Sequence, residues 1–392
     1  MICELALPFI ALAIVLLVME AAVLLTNAIR SHDFRRFEDK SESGNTQSFP
    51  LPASDGSEAD NRRKAMSPLL RSAHEGANAA QTVYHDAVVR SAGCLALAFL
   101  VLAFDSLRAN DLPGWLNWEY LESLSSWIDA LTIVFVLILF LYGRRISRTW
   151  IAGRAGIELL RQYQFLWMAF PSAFAAGSPD VHIRFGQERN AIATQVQQGP
   201  ISEITGRIVQ FWSARKAAIA GQKLAAEDLT SDAILVYLER RARRQLGWFI
   251  DSRDRLKHIA ERRSRLLLIF YVAAAGIAVA KHGVFLWTGH APIHLVPLLL
   301  IVTGMSAVMT AYYINQNSRS LIHRYNTQER TIAAWLTEFD ARWNFAAIPL
   351  GAIDDAAKDD IRARILSFEV VMIDELLDWI HITSRDAIEL SS

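Results

Sequence analysis

The longest continuous pattern of apolar and polar positions covers residues 230–280 and predicts a single helix. Thr230 begins it, because a hydroxyl can accept the free N–H groups of a first helical turn. As far as Ala260 the apolar residues form one stripe at helical spacing, and from Leu266 the segment is apolar all round. A helix of roughly 75 Å exceeds the hydrocarbon layer of about 30 Å. We therefore expect the first half to stand in water and the second half to cross a membrane.

Four further apolar runs predict membrane spans, which gives five in all. In chain order the spans cover Leu5–Thr26, Ser91–Leu107, Trp127–Tyr142, Leu266–Val284 and Leu295–Ile314. A cleaved signal peptide is the competing interpretation of the first run. It needs a basic leader, which residues 1–4 lack, so we interpret the run as a retained span.

The pattern predicts an all-α integral membrane protein: an N-terminal span plus two transmembrane helical hairpins with long cytoplasmic helices. Six segments follow from it: the N-terminal span (1–30), a flexible cytoplasmic linker (31–67), a first helix-hairpin-helix membrane unit (68–176), a cytoplasmic connector with a short helix (177–230), a second membrane unit of the same plan (231–347) and an acidic amphipathic C-terminal helix (348–392).

Composition and charge agree with a membrane location. Hydrophobic residues make up 52% of the chain and occur in blocks, and the formal net charge of +0 gives no indication of a nucleic-acid partner. The two connectors expected outside the membrane hold only Arg108 and Lys281 as basic residues. This asymmetry predicts a multi-pass membrane protein with its N-terminus outside and its C-terminus in the cytoplasm.

Residue patterns typical of catalysis are absent from the sequence, so we expect no enzyme, no cofactor and no catalytic residue. Cys3 and Cys94 have no CxxC spacing, and His290 and His294 flank Pro292 without the geometry of a ligand pair, so no metal site is predicted. Two arginine clusters, 240–244 and 262–265, leave two interpretations open: a site for anionic lipid headgroups or a nucleotide, or the basic flank of a span.

Three polar residues outside the long helix are candidates for a role. Glu20 lies inside the first predicted span, where an ionisable group marks a functional site or faces another helix near the water boundary. Arg154 and Glu158 are one helical turn apart and predict an ion pair.

A polar strip on the long helix is the fourth candidate. It consists of Tyr237, Arg241, Gln245 and Trp248. The two aromatic rings favour burial. We therefore expect the strip to pack against another cytoplasmic helix, first of all the one over 317–344, with Arg241 and Gln245 hydrogen-bonded.

This strip resembles the SLATT family of bacterial two-transmembrane effectors. The resemblance is carried by Tyr237-Leu238, Arg241, Gln245 and Trp248-Phe249 ahead of a basic helix and two spans, and by Tyr325–Trp335 after them. Phe249 replaces the family's second aromatic residue. Trp150-Ile151, Arg154 and Glu158-Leu159-Leu160-Arg161 are similar to the helix that follows the hairpin in related proteins, which indicates a second, more divergent copy. The two copies cover about residues 75–175 and 231–345.

The resemblance implies a pore-forming or membrane-perturbing effector in conflict and anti-phage defence. It implies association with SMODS and SLOG nucleotide signalling, and the expected partners are the lipid bilayer, further copies of the chain, and a separate sensor protein or nucleotide signal. The fifth span and the missing sensor domain depart from the family pattern. The alternative is a non-catalytic membrane scaffold that recruits a partner through its cytoplasmic helices, and a transporter is a weaker third class.

Overall fold

The computed structural model describes residues 9–24, 58–108, 118–174, 180–198, 200–288, 295–314, 318–343 and 354–389, and these ranges contain helices but no strand. The all-α prediction is therefore confirmed for the described residues. The helices are α1 Phe9–Leu24, α2 Glu58–Arg108, α3 Trp118–Ala169, α4 Val181–Ile192, α5 Ile201–Gly221, α6 Ser231–Thr288, α7 Leu295–Ile314, α8 Ser318–Trp343 and α9 Asp355–Glu389.

Three of the described helical segments are long and apolar enough to cross a membrane: Asn61–Val101, Ser123–Ala169 and Ser231–Thr288. The most apolar stretch of the last segment has 0% of its residues buried inside the protein. Lipid is the solvent that such an unburied apolar surface requires. The helices Phe9–Leu24 and Leu298–Val308 are also apolar but shorter. The membrane character is thus supported, and the five-span order stays a prediction.

The chain divides into two compact units, and the first comprises residues 1–44, 82–146 and 255–319. Its core joins α1 to the apolar parts of α2 and α3. The buried residues of this core are Ala11, Val15, Met19, Cys94, Leu97, Val101 and Ile128. Gly304 of α7 lies against the Phe99 ring, where an added Cβ would come within 2.5 Å of a ring carbon. Only glycine allows this close approach.

The second unit comprises residues 45–81, 147–254 and 320–392. Its core is built by α3, α4, α5, α6, α8 and α9 and is rich in aromatic residues. The largest fully buried side chains include Phe170, Tyr237, Phe249, Phe339 and Phe368. Each buried ring of this size contributes about 1.5–3 kcal/mol of transfer free energy, so the unit has a core adequate for a stable helical bundle.

Helix α2 begins at Glu58, earlier than the helix start expected at Ser67, so residues 58–67 do not belong to the predicted flexible linker. Met66 is fully buried, and Gln164 of α3 donates a 2.7 Å hydrogen bond to the carbonyl of Arg63. These contacts hold the first turns of α2 against α3. The rest of the predicted linker, residues 31–57, lies outside the described residues.

Helix α4 is a second helix in the connector 177–230, for which one short helix was expected. Asp180 caps it, because its carboxylate accepts from the backbone N–H groups of His182 and Ile183. A capping aspartate ahead of a helix is visible in sequence, so the signal was available. Helix α3 ends at Ala169, two residues before Pro171, which is disfavoured inside a helix.

Candidate functional site

The carboxylate of Glu369 is the centre of a buried polar network in the second unit. Arg241 donates two hydrogen bonds to it, from Nε to Oε1 at 3.0 Å and from Nη2 to Oε2 at 2.8 Å. The Tyr237 hydroxyl donates to Oε1 at 2.7 Å, and Gln162 Nε2 donates to Oε2 at 3.3 Å. Glu369 and Tyr237 are 0% exposed and Arg241 is 2% exposed. We call these four residues the Glu369 network.

A local change in α6 presents two members of the network to α9. Residues Leu238–Arg243 form a π-helical turn, in which the wider i→i+5 bonding interrupts the α-helical pattern. Tyr237 lies just before this turn and Arg241 within it, and both reach Glu369 of α9. Turns of this kind are rare and occur frequently at functional sites.

Aromatic rings enclose the network and exclude water from it. Phe165 and Phe368 meet the Tyr237 ring edge to face, with centroids 6.1 Å and 6.0 Å away. The Arg241 guanidinium lies 5.7 Å from the centroid of the Phe165 ring. A charged pair in so dry a site interacts strongly, but each charge has lost its hydration.

The network fixes the protonation of Arg241 and Tyr237. Burial by itself lowers the pKa of the Arg241 guanidinium, but the charge of Glu369 and its hydrogen bonds raise that pKa above the ordinary arginine value. Burial, together with the charge of Glu369, raises the pKa of Tyr237 well above its ordinary value. Arg241 is therefore a permanent cation and Tyr237 a neutral donor at physiological pH.

A second buried ion pair ties α9 to α8. Arg324 Nη2 lies 3.0 Å from Glu375 Oε1, and their side chains are 6% and 5% exposed. Burial raises the pKa of Glu375 despite the opposing charges of Arg324 and Arg154. Helix α9 is thus attached at two points by buried charge, once to α6 and once to α8.

Neither the Glu369 network nor the Arg324–Glu375 pair has all of its hydrogen-bonding groups satisfied. Among the described residues, the Nη1 atom of Arg241, the Nε and Nη1 atoms of Arg324 and the Oε1 atom of Gln162 are buried without a hydrogen-bond partner. Each such group costs about 1–3 kcal/mol of desolvation. The attachment of α9 is consequently more sensitive to loss of one partner than an apolar interface would be.

The expected ion pair between Arg154 and Glu158 does not form. Glu158 binds Arg161 instead, with Arg161 Nη1 2.6 Å from Glu158 Oε1. The Arg154 guanidinium lies over the Trp379 ring of α9 at 4.5 Å and 5.8 Å from the Trp248 centroid. The face of a tryptophan ring attracts a cation, and this favours the inter-helix contact over a pair along α3.

Glu158 keeps its charge in this setting. Burial alone raises the pKa of its carboxyl, but the charges of Arg161, Arg241 and Arg154 together hold the pKa below its ordinary value. Arg161, and not the expected Arg154, is thus the ion-pair partner of Glu158.

The polar strip of α6 is divided between two neighbours. Tyr237 and Arg241 bind α9, which was not the expected partner. Trp248 is 39% exposed and meets Tyr325 of α8 edge to face at 5.5 Å, as expected for the helix over 317–344. Gln245 is half-buried, and the structure gives its side chain no hydrogen bond to another described residue, against expectation.

Glu20 faces another helix. Arg90 of α2 lies beside it, with Nη2 3.0 Å from Glu20 Oε1, and the Glu20 side chain is 60% exposed. Arg90 directly precedes the predicted span Ser91–Leu107. The pair thus lies at one end of that span, which fits the water-boundary interpretation of Glu20.

Sequence reasoning missed Glu369 and Glu375. A signal for Glu369 exists, because it lies four residues after Ile365 and four before Ile373, on the apolar stripe of the last helix. A carboxylate on such a stripe requires a buried cation. The sequence pattern does not indicate which of the forty lysines and arginines is that cation.

The described residues contain no group of three or more His, Cys, Asp or Glu side chains that could hold a metal ion. Comparisons of the chain with family models, with curated proteins and with solved structures find no match. The function is therefore inferred from the residues themselves.

Proposed function

We propose that the protein is an effector of the bacterial inner membrane in a conflict or anti-phage defence system. On a cellular signal it oligomerises and permeabilises the membrane. The resemblance of the α6 strip to the SLATT family supplies the defence role and the signal, which is a nucleotide or a separate sensor protein. The proposed topology has five spans, with the N-terminus outside and the C-terminus in the cytoplasm, and it rests on the placement of basic residues.

The observation that carries the proposal is the continuity of α6. This single helix contains Arg241, whose guanidinium is buried in the Glu369 network, and the unburied apolar stretch after Leu266. A change in the attachment of α9 to Arg241 therefore acts on the helix whose continuation we propose to enter the membrane.

In this mechanism the Glu369 network holds the resting state. Two buried ion pairs keep α9 on α6 and α8. The unsatisfied N–H groups of Arg241 and Arg324 keep the free-energy difference between the attached and the released form small. A signal that releases α9 shifts the population toward the form that oligomerises, provided that it binds the released form more tightly.

The effector mechanism requires a path for ions. We place it between protomers, past Glu20 and Arg90, because this pair is a polar contact in an otherwise apolar part of the first unit. Rings of charged side chains are a common device for admitting ions.

The experiment is induced expression in bacteria with a voltage-sensitive dye, in the presence of the signal and of proteins encoded by neighbouring genes. The effector depolarises the membrane, and Glu20→Ala weakens the response. A membrane that stays polarised under these conditions contradicts the proposal.

The alternative is a non-catalytic membrane scaffold, and one observation favours it. Ile183 of α4 and Val209 of α5 are 51% and 44% exposed in the second unit, so they are apolar side chains through which a scaffold would bind a partner. A scaffold leaves the membrane polarised, and it loses a co-purifying partner when both residues are changed to Asp. An effector depolarises whether or not that partner is retained.

A further inference from the structure

A groove of about 360 Å³ lies between the start of the cytoplasmic part of α3 and the first turn of α5. Arg148 and Thr149 form its polar end, and Ile201 and Ile204 form an aliphatic wall. Ile204 is only 1% exposed, so this wall is part of the core of the second unit. None of these residues belongs to the Glu369 network.

The floor of the groove is fixed by backbone contacts. Gln197, at the end of the π-helical turn Ala193–Gln197, donates a 2.9 Å hydrogen bond to the carbonyl of Ala152. Gly156 makes this possible, because a Cβ there would lie 2.2 Å from Gln197 Nε2. This hydrogen bond holds Gln197 against the backbone of α3 at the floor of the groove.

The polar end of the groove is suited to an anion. The structure gives Arg148 no ion pair with another described residue, and Thr149 lines the same groove. Pro200 caps α5 without a side-chain hydrogen bond, so the positive end of the helix dipole is not offset by a capping oxygen. Glu203 in the first turn is neutralised by Arg207, whose Nη2 lies 2.6 Å from Glu203 Oε2.

The position of Arg148 along α3 indicates which anion reaches it. Arg148 follows Tyr142, the last residue of the predicted span, by six residues, which is about 9 Å of helix rise. The headgroup layer extends about 5–7 Å beyond the hydrocarbon on each side, within reach of an arginine side chain. An aliphatic wall beside an unpaired arginine at this depth matches an anionic lipid, which has both chemistries.

We propose that this groove binds one anionic phospholipid, with its phosphate at Arg148 and Thr149 and the start of an acyl chain along Ile201 and Ile204. The inference rests on the membrane location and is independent of the effector proposal, because lipid binding is measured without permeabilisation. It identifies a lipid-dependent contact at the point where α3 leaves the membrane.

The test is native mass spectrometry of the full chain in neutral detergent with added phosphatidylglycerol or phosphatidylcholine. The wild type retains one phosphatidylglycerol in preference to phosphatidylcholine. Arg148→Gln weakens this binding about tenfold, since a charge-assisted hydrogen bond is lost. Thr149→Trp, at an exposed position, fills the groove and prevents binding.

Arg145→Gln is the matched control, because Arg145 is exposed on the same helix and does not line the groove. It leaves phosphatidylglycerol binding unchanged. Equal losses in Arg148→Gln and Arg145→Gln overturn the proposal, since they indicate a diffuse charge effect. Displacement of the lipid by inorganic phosphate at the same concentration also overturns it, because the site then takes a soluble anion. Circular dichroism of each variant checks that the helices are intact.

Discussion

Replacing Glu369 by Gln tests how strongly the Glu369 network holds α9. The substitution keeps the shape of the side chain but leaves Arg241, which is 2% exposed, as an unpaired buried cation. Breaking a buried pair in this way costs about 3–5 kcal/mol. A typical domain has only about 5–15 kcal/mol of stability in total. We therefore expect local release of α9 or marginal stability of the second unit.

The assay is hydrogen exchange of the full chain in detergent, followed over Asp355–Glu389. The expected loss of free energy raises the opening equilibrium of α9 in Glu369→Gln by about two to four orders of magnitude. Glu338→Gln is the control. Glu338 is 70% exposed, and its ion pair with Arg364 of α9 is long, at 3.6 Å. An exposed pair of this kind contributes little stability, so its loss leaves α9 protected.

The double variant Arg241→Met with Glu369→Leu separates charge from packing. It removes both charges and fills the same space with apolar atoms, an exchange that is often neutral or stabilising. Protection of α9 returns in this variant. The reasoning is refuted if Glu369→Gln exchanges like the wild type, or if the double variant is as open as the single one.

Three further predictions follow from individual contacts. Glu158→Gln destabilises the protein at pH 7. The deficit in the free energy of unfolding is lost as the pH falls below the ordinary carboxyl value of 4.5, because a carboxyl with a lowered folded-state pKa contributes its full stability only above the unfolded-state pKa. Denaturation from pH 7 to 3 measures this deficit, and a pH-independent deficit contradicts the prediction. Gly156→Ala lowers the free energy of unfolding by about 0.5–1.5 kcal/mol, because its Cβ displaces the end of the Gln197 side chain and removes the hydrogen bond to Ala152. An unchanged denaturation midpoint would show that the groove floor adapts. In a chain with Cys3 and Cys94 replaced by Ala, a membrane-impermeant thiol reagent applied from the periplasm labels Ser123→Cys and spares Ser213→Cys, and the reverse pattern excludes the proposed topology.

The helices were predictable where local signals set them. The periodic segment after Thr230 predicted α6, and the apolar run Leu295–Ile314 coincides with α7. The start of α2 was misplaced, because Pro68 in a polar stretch resembles a helix start, whereas the burial of Met66 and the contact of Arg63 with α3 extend the helix backwards. Tertiary contacts of this kind leave no periodic signal in the sequence.

Only the α6 part of the candidate site was predictable from the sequence. The strip on α6 identified Tyr237 and Arg241 as residues in need of a partner, because large rings and a cation share one side of the helix. Their partner Glu369 lies 128 residues beyond Arg241, and no local rule connects the two positions. The i,i+4 rule favoured Glu158 as the partner of Arg154, but in the fold the Arg154 guanidinium lies over the buried Trp379 ring at 4.5 Å.

The claim that the attachment of α9 controls the membrane part is tested most directly by membrane potential in living cells. A voltage-sensitive dye compares the wild type, Glu369→Gln, Glu338→Gln and the double variant Arg241→Met with Glu369→Leu, each induced without signal and at equal amounts in the membrane fraction. We predict that only Glu369→Gln depolarises the cells, because only it leaves Arg241 unpaired. Cells that stay polarised with Glu369→Gln, or that depolarise equally with the double variant, contradict the account.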